Sequence, residues 1–350
     1  MLTIGQGRSA PTNIDVGQNV RALTFTANGE YLVTGDEEVR VWRVKDRKQM
    51  ARMETRRTVH SLAASKNGKW IAAGTEREML VWNAETFEEV IKHWVGKCVN
   101  AVDFSLDSTR LVAGTGNCTA IVWDLATGEQ VQTLHHRNWV HEVKYSPRGD
   151  RIATADKFGP IGIWDSNDGR LLVDIKVTVA PSFNPSLLWS NDHLLVVSDE
   201  KIKEFDVSTG SNISEWSVSD TDKCSYIALP KHERFIAFSA KRTITFWDTS
   251  THNQLPLTVQ HPEDIRSIAF SPDDRILVIG GGWEITIQSL SGINVSATFC
   301  RAISSLNIFL HRPQSLCPSY TLLSANLSFK LTTLYSTCGS AISSKTQKRH

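Results

Sequence analysis

Apolar and polar positions alternate along this chain in short runs that recur in a fixed order. The stretch "VNAVDFSLDSTRLVAGTGNCTAIVWD" (Val99–Asp124) holds an alternating run, a polar turn, an apolar run, a second turn and another apolar run. The stretch "IRSIAFSPDDRILVIGGGWEITIQS" (Ile265–Ser289) repeats that order. This pattern predicts three short strands joined by tight turns, and a later run such as Gln130–Leu134 predicts a fourth.

One position at the end of the third run, which we call the slot, marks the interval between copies. It is aromatic in six of the seven copies. The slots follow one another at steps of 40 to 42 residues and are Trp42, Trp82, Trp123, Trp164, Phe205, Trp247 and Gln288. Each copy therefore predicts a four-stranded antiparallel sheet, which cannot bury both of its faces alone. Seven sheets arranged radially bury their faces against each other and leave no long exposed edge. The slot side chains are predicted to fill the space between sheets, with each indole N–H on a buried acceptor.

Seven copies at this spacing, ending in Trp-Asp ("IVWD") or a relaxed version ("VWNAE"), resemble the WD-repeat β-propeller family. The resemblance covers residues 15–300 and implies an all-β fold, a seven-bladed β-propeller of four-stranded antiparallel blades. The overall character of the sequence is also similar to that of the expanded fungal WD-repeat proteins. This similarity implies no activity. The expected blades span about residues 20–53, 59–92, 99–134, 140–175, 184–216, 224–259 and 265–299.

The chain departs from the family pattern at two places in each copy. The Gly-His dipeptide that opens family repeats is absent. The turn aspartate six residues before the Trp slot is present only as Asp36 and Asp199, and the other copies carry Glu76, Asn117, Phe158, Lys241 and Gly282. The hydrogen-bond network that the resemblance implies is therefore mostly incomplete. We expect blades held chiefly by apolar packing and less stable than an ideal repeat.

The ring needs one more outer strand, which must come from an end of the chain. Thr12–Val16 could supply it, as the N-terminus often does in the family. Val295–Phe299 is favoured, because Val131–Leu134 and Ser296–Phe299 lie at the same offsets from Trp123 and Gln288. After Arg301 the period stops. The irregular tail, residues 301–350, has three interpretations. It is a basic tail that binds a partner, a disordered segment, or translated non-coding sequence (a gene-model artefact).

Charge and cysteine content narrow the function classes. The net charge is +1, but residues 301–350 hold six basic and no acidic residues, so residues 1–300 carry −5. A mildly acidic body is a poor match to a nucleic-acid surface. No Cys-x-x-Cys pair, secretory signal or apolar run long enough for a membrane span is present. These features favour a cytoplasmic or nuclear location without membrane attachment.

No stretch predicts an active site. The chain lacks a phosphate-binding loop, a metal-ligand motif and a nucleophile elbow, so we expect no enzyme activity, no cofactor and no metal. Family members commonly bind partners on the top face of the ring, where outer strands connect to the next blade. That resemblance implies seven candidate contact residues, each with packing inside the fold as the alternative: Arg56, Arg57, Trp94, Arg137, Trp139, Phe158 and Phe183.

For Trp139 the favoured interpretation is an aromatic packed near the channel mouth, as in family members. Trp94 is assigned either to the top face or to the outer strand. The sequence thus predicts a non-enzymatic scaffold that binds a protein or peptide within a multiprotein complex. An RNA-associated subunit of a larger particle and an enzyme acting at the central channel stay open as alternatives.

Overall fold

A computed structural model describes residues 12–17, 19–157, 160–177, 186–198, 201–218 and 225–290. All of them lie within one compact unit, Met1–Ile293. The predicted tail, residues 301–350, lies outside the described residues. The described residues form 28 β-strands in seven four-stranded antiparallel sheets, which confirms the predicted all-β class. No helix among them is long and apolar enough to span a bilayer.

The strands follow the chain in groups of four after one N-terminal strand. That first strand is β1 (Thr12–Asp15). Blades 1 and 2 contain β2 (Ala22–Phe25), β3 (Tyr31–Gly35), β4 (Glu38–Arg43), β5 (Gln49–Glu54), β6 (Val59–Ala64), β7 (Trp70–Thr75), β8 (Glu78–Asn83) and β9 (Glu89–Trp94). Blades 3 and 4 contain β10 (Val99–Phe104), β11 (Arg110–Thr115), β12 (Thr119–Asp124), β13 (Gln130–His135), β14 (Val140–Tyr145), β15 (Arg151–Asp156), β16 (Ile161–Asp165) and β17 (Leu171–Ile175).

The remaining blades repeat this plan. Blades 5 and 6 contain β18 (Ser186–Ser190), β19 (His193–Ser198), β20 (Lys201–Asp206), β21 (Asn212–Ser217), β22 (Ser225–Ala228), β23 (Phe235–Ala240), β24 (Thr243–Asp248) and β25 (Gln254–Gln260). Blade 7 contains β26 (Ile265–Phe270), β27 (Ile276–Gly281) and β28 (Glu284–Ser289), with β1 as its outer strand.

The seven sheets close into a ring. The innermost strand of each blade lies beside the innermost strand of the next, in the order β2, β6, β10, β14, β18, β22, β26 and back to β2. The predicted seven-bladed β-propeller is thereby confirmed.

The aspartate that follows the Trp slot shapes the turn to the outer strand. In blade 3 the Oδ1 atom of Asp124 accepts the amides of Ala126 and Thr127, both at 2.9 Å. Asp206 does the same in blade 5, where hydrogen bonds led by the Ser208 hydroxyl lower the pKa of its carboxyl group to about 2. A short carboxylate can hold two turn amides in this way. The Trp-Asp pair therefore combines a packing residue with a turn residue.

The slot side chains lie between neighbouring blades. Trp82 packs with Val39, Val41 and Met53 of blade 1, and Trp164 packs with residues of blade 3. The six aromatic slots are between 2% and 8% exposed: Trp42, Trp82, Trp123, Trp164, Phe205 and Trp247. Burial of this much aromatic area is a major source of stability in each blade interface.

Only some slot tryptophans donate the indole N–H to a threonine on the second strand of their own blade. The Nε1 atom of Trp42 donates to Thr34 Oγ1 at 2.9 Å, and that of Trp164 donates to Thr154 Oγ1 at 2.7 Å. Strand register puts apolar residues at the equivalent position of the other blades whose slot is aromatic: Ala73, Ala113, Val196 and Phe238. In blade 6 the Nε1 atom of Trp247 instead donates to Thr245 Oγ1 at 3.0 Å.

Blade 7 carries Gln288 in the slot and meets blade 6 through phenylalanines. The Phe235 ring of blade 6 lies edge-on to Phe270 of blade 7, with centroids 5.7 Å apart. Phe235 makes a second edge contact, also at 5.7 Å, with Phe246 of its own blade. Aromatic packing from a different position therefore fills this interface.

The outer strand of blade 7 comes from the N-terminus, which corrects the preference for Val295–Phe299. β1 pairs antiparallel with β28, in a register that joins Thr12 to Ile287 and Asp15 to Glu284. Ile14 is buried in the cluster that contains Trp42 and Val278. The equal offsets from the slot favoured the wrong segment because they measure chain distance, whereas the edge of β28 accepts any strand with a fitting apolar face. Val295–Phe299 itself lies outside the described residues.

Candidate partner-binding face

Two kinds of loop meet at one end of the strands and form the face that we call the top face. They are the loops that follow the outer strands and the turns between the second and third strands. In blade 2 the amides of Val95 and Gly96 donate to the Arg77 carbonyl at 2.8 and 3.1 Å. In blade 3 the His136 amide donates to the Cys118 carbonyl at 2.9 Å. These backbone bonds hold each loop against its turn.

Trp94, at the top end of β9, is 60% exposed. The guanidinium carbon of Arg57 lies 5.3 Å from the centroid of its indole ring, and that of Arg77 lies 5.9 Å away. Both distances fall within the range of cation–π attraction. We call these three residues the Trp94 clamp. Trp94 thus ends an outer strand and also stands on the top face.

Trp139 is 53% exposed and immediately precedes β14, the innermost strand of blade 4. The Nζ atom of Lys157 lies 5.3 Å from its ring centroid. The Lys157 amide also donates to the Trp139 carbonyl at 2.9 Å, which ties the two loops together. The exposed indole has a cation as its neighbour here, as at Trp94.

Of the other predicted contact residues, two arginines are exposed and two phenylalanines lie outside the described residues. Arg56 and Arg137 are exposed at equivalent positions of the loops after β5 and β13, and Arg56 has a positive φ of 57°. Gly96 takes the same position in blade 2 with a φ of 82°, where a glycine has no steric penalty. Phe158 and Phe183 lie outside the described residues.

The sequence interpretation missed Arg77, Lys157 and Trp283. Trp283 is 61% exposed in the turn between β27 and β28. Its carbonyl accepts the Val16 amide at 3.0 Å, so the turn is fixed by the segment that follows β1. The sequence did contain a signal that these residues lie on the top face. Each of them occupies a turn between the second and third strands of a blade: Arg77, Lys157 and Trp283. Only the structure shows that two of these turns place a cation over an indole.

Near the channel mouth, a thiol and two imidazoles lie on or beside the innermost strands. Burial lowers the pKa of His60 and of His141, and burial raises the pKa of the Cys98 thiol. Cys98 Sγ lies 3.9 Å from His60 Nε2. A protonated thiol beside a neutral imidazole is a weak nucleophile. The arrangement therefore lacks the activated Cys–His pair that covalent catalysis requires.

Charged side chains on the innermost strands pair with each other. Lys144 Nζ lies 3.3 Å from Glu142 Oε1, and the Tyr145 amide donates to Asp103 Oδ2 at 2.7 Å. Burial raises the pKa of Asp103 and of Glu142. Burial alone would lower the pKa of Lys144, but the Glu142 and Asp103 carboxylates raise it. Within the described ranges, no group of three or more His, Cys, Asp or Glu side chains is placed to hold a metal ion.

Comparison with known proteins identifies the repeats. Three segments of the chain, residues 13–43, 88–124 and 254–287, match the family model for the WD40 repeat, described as "WD domain, G-beta repeat". These segments fall on blade 1 with β1, on blades 2 and 3, and on blades 6 and 7.

Among the known proteins that are similar to this chain, one is named for its WD repeats and two are named for association with a receptor or an RNA. The serine-threonine kinase receptor-associated protein of Gallus gallus is 24% identical over 50% of this chain and 49% of its own length. WD repeat-containing protein 1 of Xenopus tropicalis is 25% identical over 66% of this chain and 39% of its own length. The U3 small nucleolar RNA-associated protein 15 homolog of Xenopus tropicalis is 22% identical over 61% and 42%, respectively. The chain therefore spans less than half the length of each of these three relatives.

Proposed function

We propose that this WD-repeat β-propeller is a non-enzymatic scaffold that binds a protein or peptide partner on its top face. The observation that carries the proposal is that large indole rings stand exposed there beside cations, as in the Trp94 clamp. A protein normally buries tryptophan, and Trp and Arg dominate the binding energy of protein interfaces. The names of two similar proteins describe association with other macromolecules, which supports an interaction role.

The ring positions these residues without using them for folding. Each exposed indole sits on a loop or strand end whose backbone is already hydrogen-bonded to the neighbouring turn. Binding would therefore cost little ordering of the backbone, which favours affinity.

The test is affinity capture from native extract with the full chain as bait, followed by mass spectrometry. A top-face variant carries Arg57→Ala, Trp94→Ala and Trp139→Ala. A matched control variant changes three exposed residues at the opposite ends of the blades, Lys69→Ala, Glu85→Ala and Glu129→Ala. We expect a defined set of proteins on the wild-type and control baits that is lost from the top-face variant. Equal capture by all three baits would place binding elsewhere and contradict the proposal.

An RNA-associated role is the second candidate, because one similar protein is named for its association with U3 small nucleolar RNA. Four basic side chains on the top face of blades 1 to 3 add to this: Arg56, Arg57, Arg77 and Lys97. The net charge of −5 over residues 1–300 opposes it, since phosphate contacts need a basic surface. Ribonuclease treatment of the captured material distinguishes the two, because a protein scaffold keeps its partners after RNA is removed.

A further inference from the structure

The Trp94 clamp presents two guanidinium groups over one exposed indole ring. Each guanidinium group lies over the Trp94 ring, at 5.3 Å for Arg57 and 5.9 Å for Arg77. Neither group is paired with a carboxylate of the part of the chain that the structure describes. A guanidinium that stacks through its face still offers a fork of N–H donors at its edge, which matches a carboxylate. The clamp is therefore pre-oriented for two anionic groups.

The backbone around the clamp is held in place. The Arg77 carbonyl accepts two amides of the loop that follows Trp94, and Asn117 Nδ2 donates to the Val95 carbonyl at 3.1 Å. Thr55 Oγ1 lies 2.8 Å from the Glu37 carbonyl oxygen and 2.7 Å from that of Arg57. Three loops from blades 1 to 3 thus converge on one indole. A ligand of the clamp would meet a rigid surface.

The charge around the clamp is predominantly positive. Exposed Arg56 and Lys97 flank it on adjoining loops, and the turns that meet these loops add two exposed carboxylates, those of Glu37 and Glu76. Since the rest of residues 1–300 carries net negative charge, this local excess is not a continuation of a basic surface. A short acidic segment complements such a patch, whereas a long polyanion would also meet the acidic remainder.

The distances limit how the anionic groups are spaced. Because both guanidinium carbons are close to the same ring, they lie within about 11 Å of each other. In an extended peptide, side chains two residues apart project to the same side and are separated by about 7 Å. Two acidic residues with one residue between them can therefore reach both arginines.

We infer that the Trp94 clamp binds an extended acidic peptide segment in which two carboxylate side chains, spaced two residues apart, pair with Arg57 and Arg77 while the segment packs on the Trp94 ring. This assignment rests on the proposed scaffold function and names the chemistry of its partner. It differs from a site at the channel mouth, because Trp94 lies at the end of an outer strand.

The experiment uses the full chain labelled with 5-fluorotryptophan, and the Trp94 signal in the fluorine NMR spectrum is assigned with Trp94→Phe. Three probes are titrated: a Gly-Ser peptide of twelve residues with two glutamates two residues apart, the same peptide with glutamines, and a twelve-nucleotide oligouridylate. We expect the glutamate peptide to shift the Trp94 signal saturably and the glutamine peptide to leave it unchanged. The signal of Trp42, which is buried in a slot, serves as the internal reference.

Variants of the clamp test the two ion pairs. Arg57→Gln and Arg77→Gln are each expected to raise the dissociation constant of the glutamate peptide about tenfold, because a charge-assisted hydrogen bond is lost in each. Arg170→Gln, at an exposed arginine on the opposite ends of the blades, is the matched control and should leave it within about twofold. Unchanged thermal unfolding of all three variants excludes a folding defect as the cause.

The outcomes separate the clamp from the scaffold. Absence of a saturable shift, equal shifts with glutamate and glutamine peptides, or tighter binding of the oligouridylate would each overturn the assignment of an acidic peptide. If Trp94→Ala alone keeps the captured proteins and the triple top-face variant loses them, the clamp assignment fails and the scaffold proposal stands. If no variant of the top face affects capture, the scaffold proposal itself fails.

Discussion

Eight of the eleven tryptophans of this chain fall into two groups that use the same ring in opposite ways. Those in the slots are buried between blades, and Trp42 and Trp164 each donate the indole N–H to a threonine hydroxyl. Three others are more than half exposed on the top face, and two of these have cations over their rings: Trp94, Trp139 and Trp283. In the first group the ring fills space inside the fold, whereas in the second more than half of the residue stays open to solvent. One position of each blade therefore supplies stability, and the loop ends are left to vary.

The largest expected effect comes from emptying a slot. Trp164→Ala should lower the free energy of unfolding by about 3–5 kcal/mol, because a large buried side chain leaves a cavity between blades 3 and 4. Denaturant unfolding followed by circular dichroism measures this change. Trp139→Ala is the matched control with an expected change within about 0.5 kcal/mol. Equal losses in the two variants would refute the contrast.

The same contrast between buried and exposed side chains can be tested on the outer strands, one of which, β1, closes the ring. Ile14→Ala should cost about 2–4 kcal/mol, since Ile14 is buried in the cluster with Trp42. Val90→Ala, at a 51% exposed position of the outer strand β9, is the control and should change the free energy of unfolding by less than about 0.5 kcal/mol. Denaturant titration again gives both values. A neutral Ile14→Ala would argue that another segment fills the edge of β28.

The buried N–H of a slot indole makes a smaller contribution. Thr154→Val should cost about 1–3 kcal/mol, because it removes the acceptor of Trp164 Nε1 and leaves a buried donor unpaired. The same change in a Trp164→Phe background removes only the longer bond from Thr154 Oγ1 to the Gly162 carbonyl, at 3.3 Å, and should cost less. A double-mutant cycle on the free energy of unfolding gives the coupling between the two residues. Zero coupling would show that the hydrogen bond contributes nothing to stability.

Acid should weaken the contact between His136 and Trp164, whose ring centroids are 5.3 Å apart. Burial lowers the pKa of His136 to about 4, against the attraction of Asp156 and Asp174 and with a small further lowering by His135. The unfolded chain, with an ordinary histidine pKa near 6.5, therefore binds more protons below that pH. Stability present above pH 6.5 is lost as the pH falls toward 4.

The measurement is the free energy of unfolding at pH 7.5 and pH 5. We expect the wild-type chain to lose about 1 kcal/mol more than His136→Phe over this interval. His135→Asn, at an exposed neighbouring position, should keep the wild-type dependence. Identical pH profiles of the wild-type chain and His136→Phe would contradict this assignment.

The smallest effect on folding is expected for Trp283→Ala, because the ring is mostly outside the fold and only its backbone carbonyl is engaged. The free energy of unfolding should change by less than about 0.5 kcal/mol. A loss above 2 kcal/mol by denaturant titration would show that this indole supports the ring and belongs with the slot tryptophans.

Much of the fold could be predicted because it repeats. Strand periodicity, turn residues and the spacing of Trp42, Trp82 and Trp123 all point to the same four-stranded unit. The candidate site was harder to predict. The sequence indicates Arg57 and Trp94 as candidates but not Arg77, because the place of Arg77 over the indole depends on the register that pairs Glu78 with Trp94. Such proximity leaves no regular pattern along the chain.

The strands, their number per blade and the seven-fold repetition can be predicted from the amino-acid sequence, because local alternation and turn chemistry carry that information. Packing in the folded molecule selects the end of the chain that closes the ring and the tryptophans that stay exposed. Both depend on contacts between residues far apart in sequence, such as Thr12 with Ile287. Any apolar strand of fitting length can pair with a free edge, and any loop can direct its side chains inward or outward, so packing makes the choice.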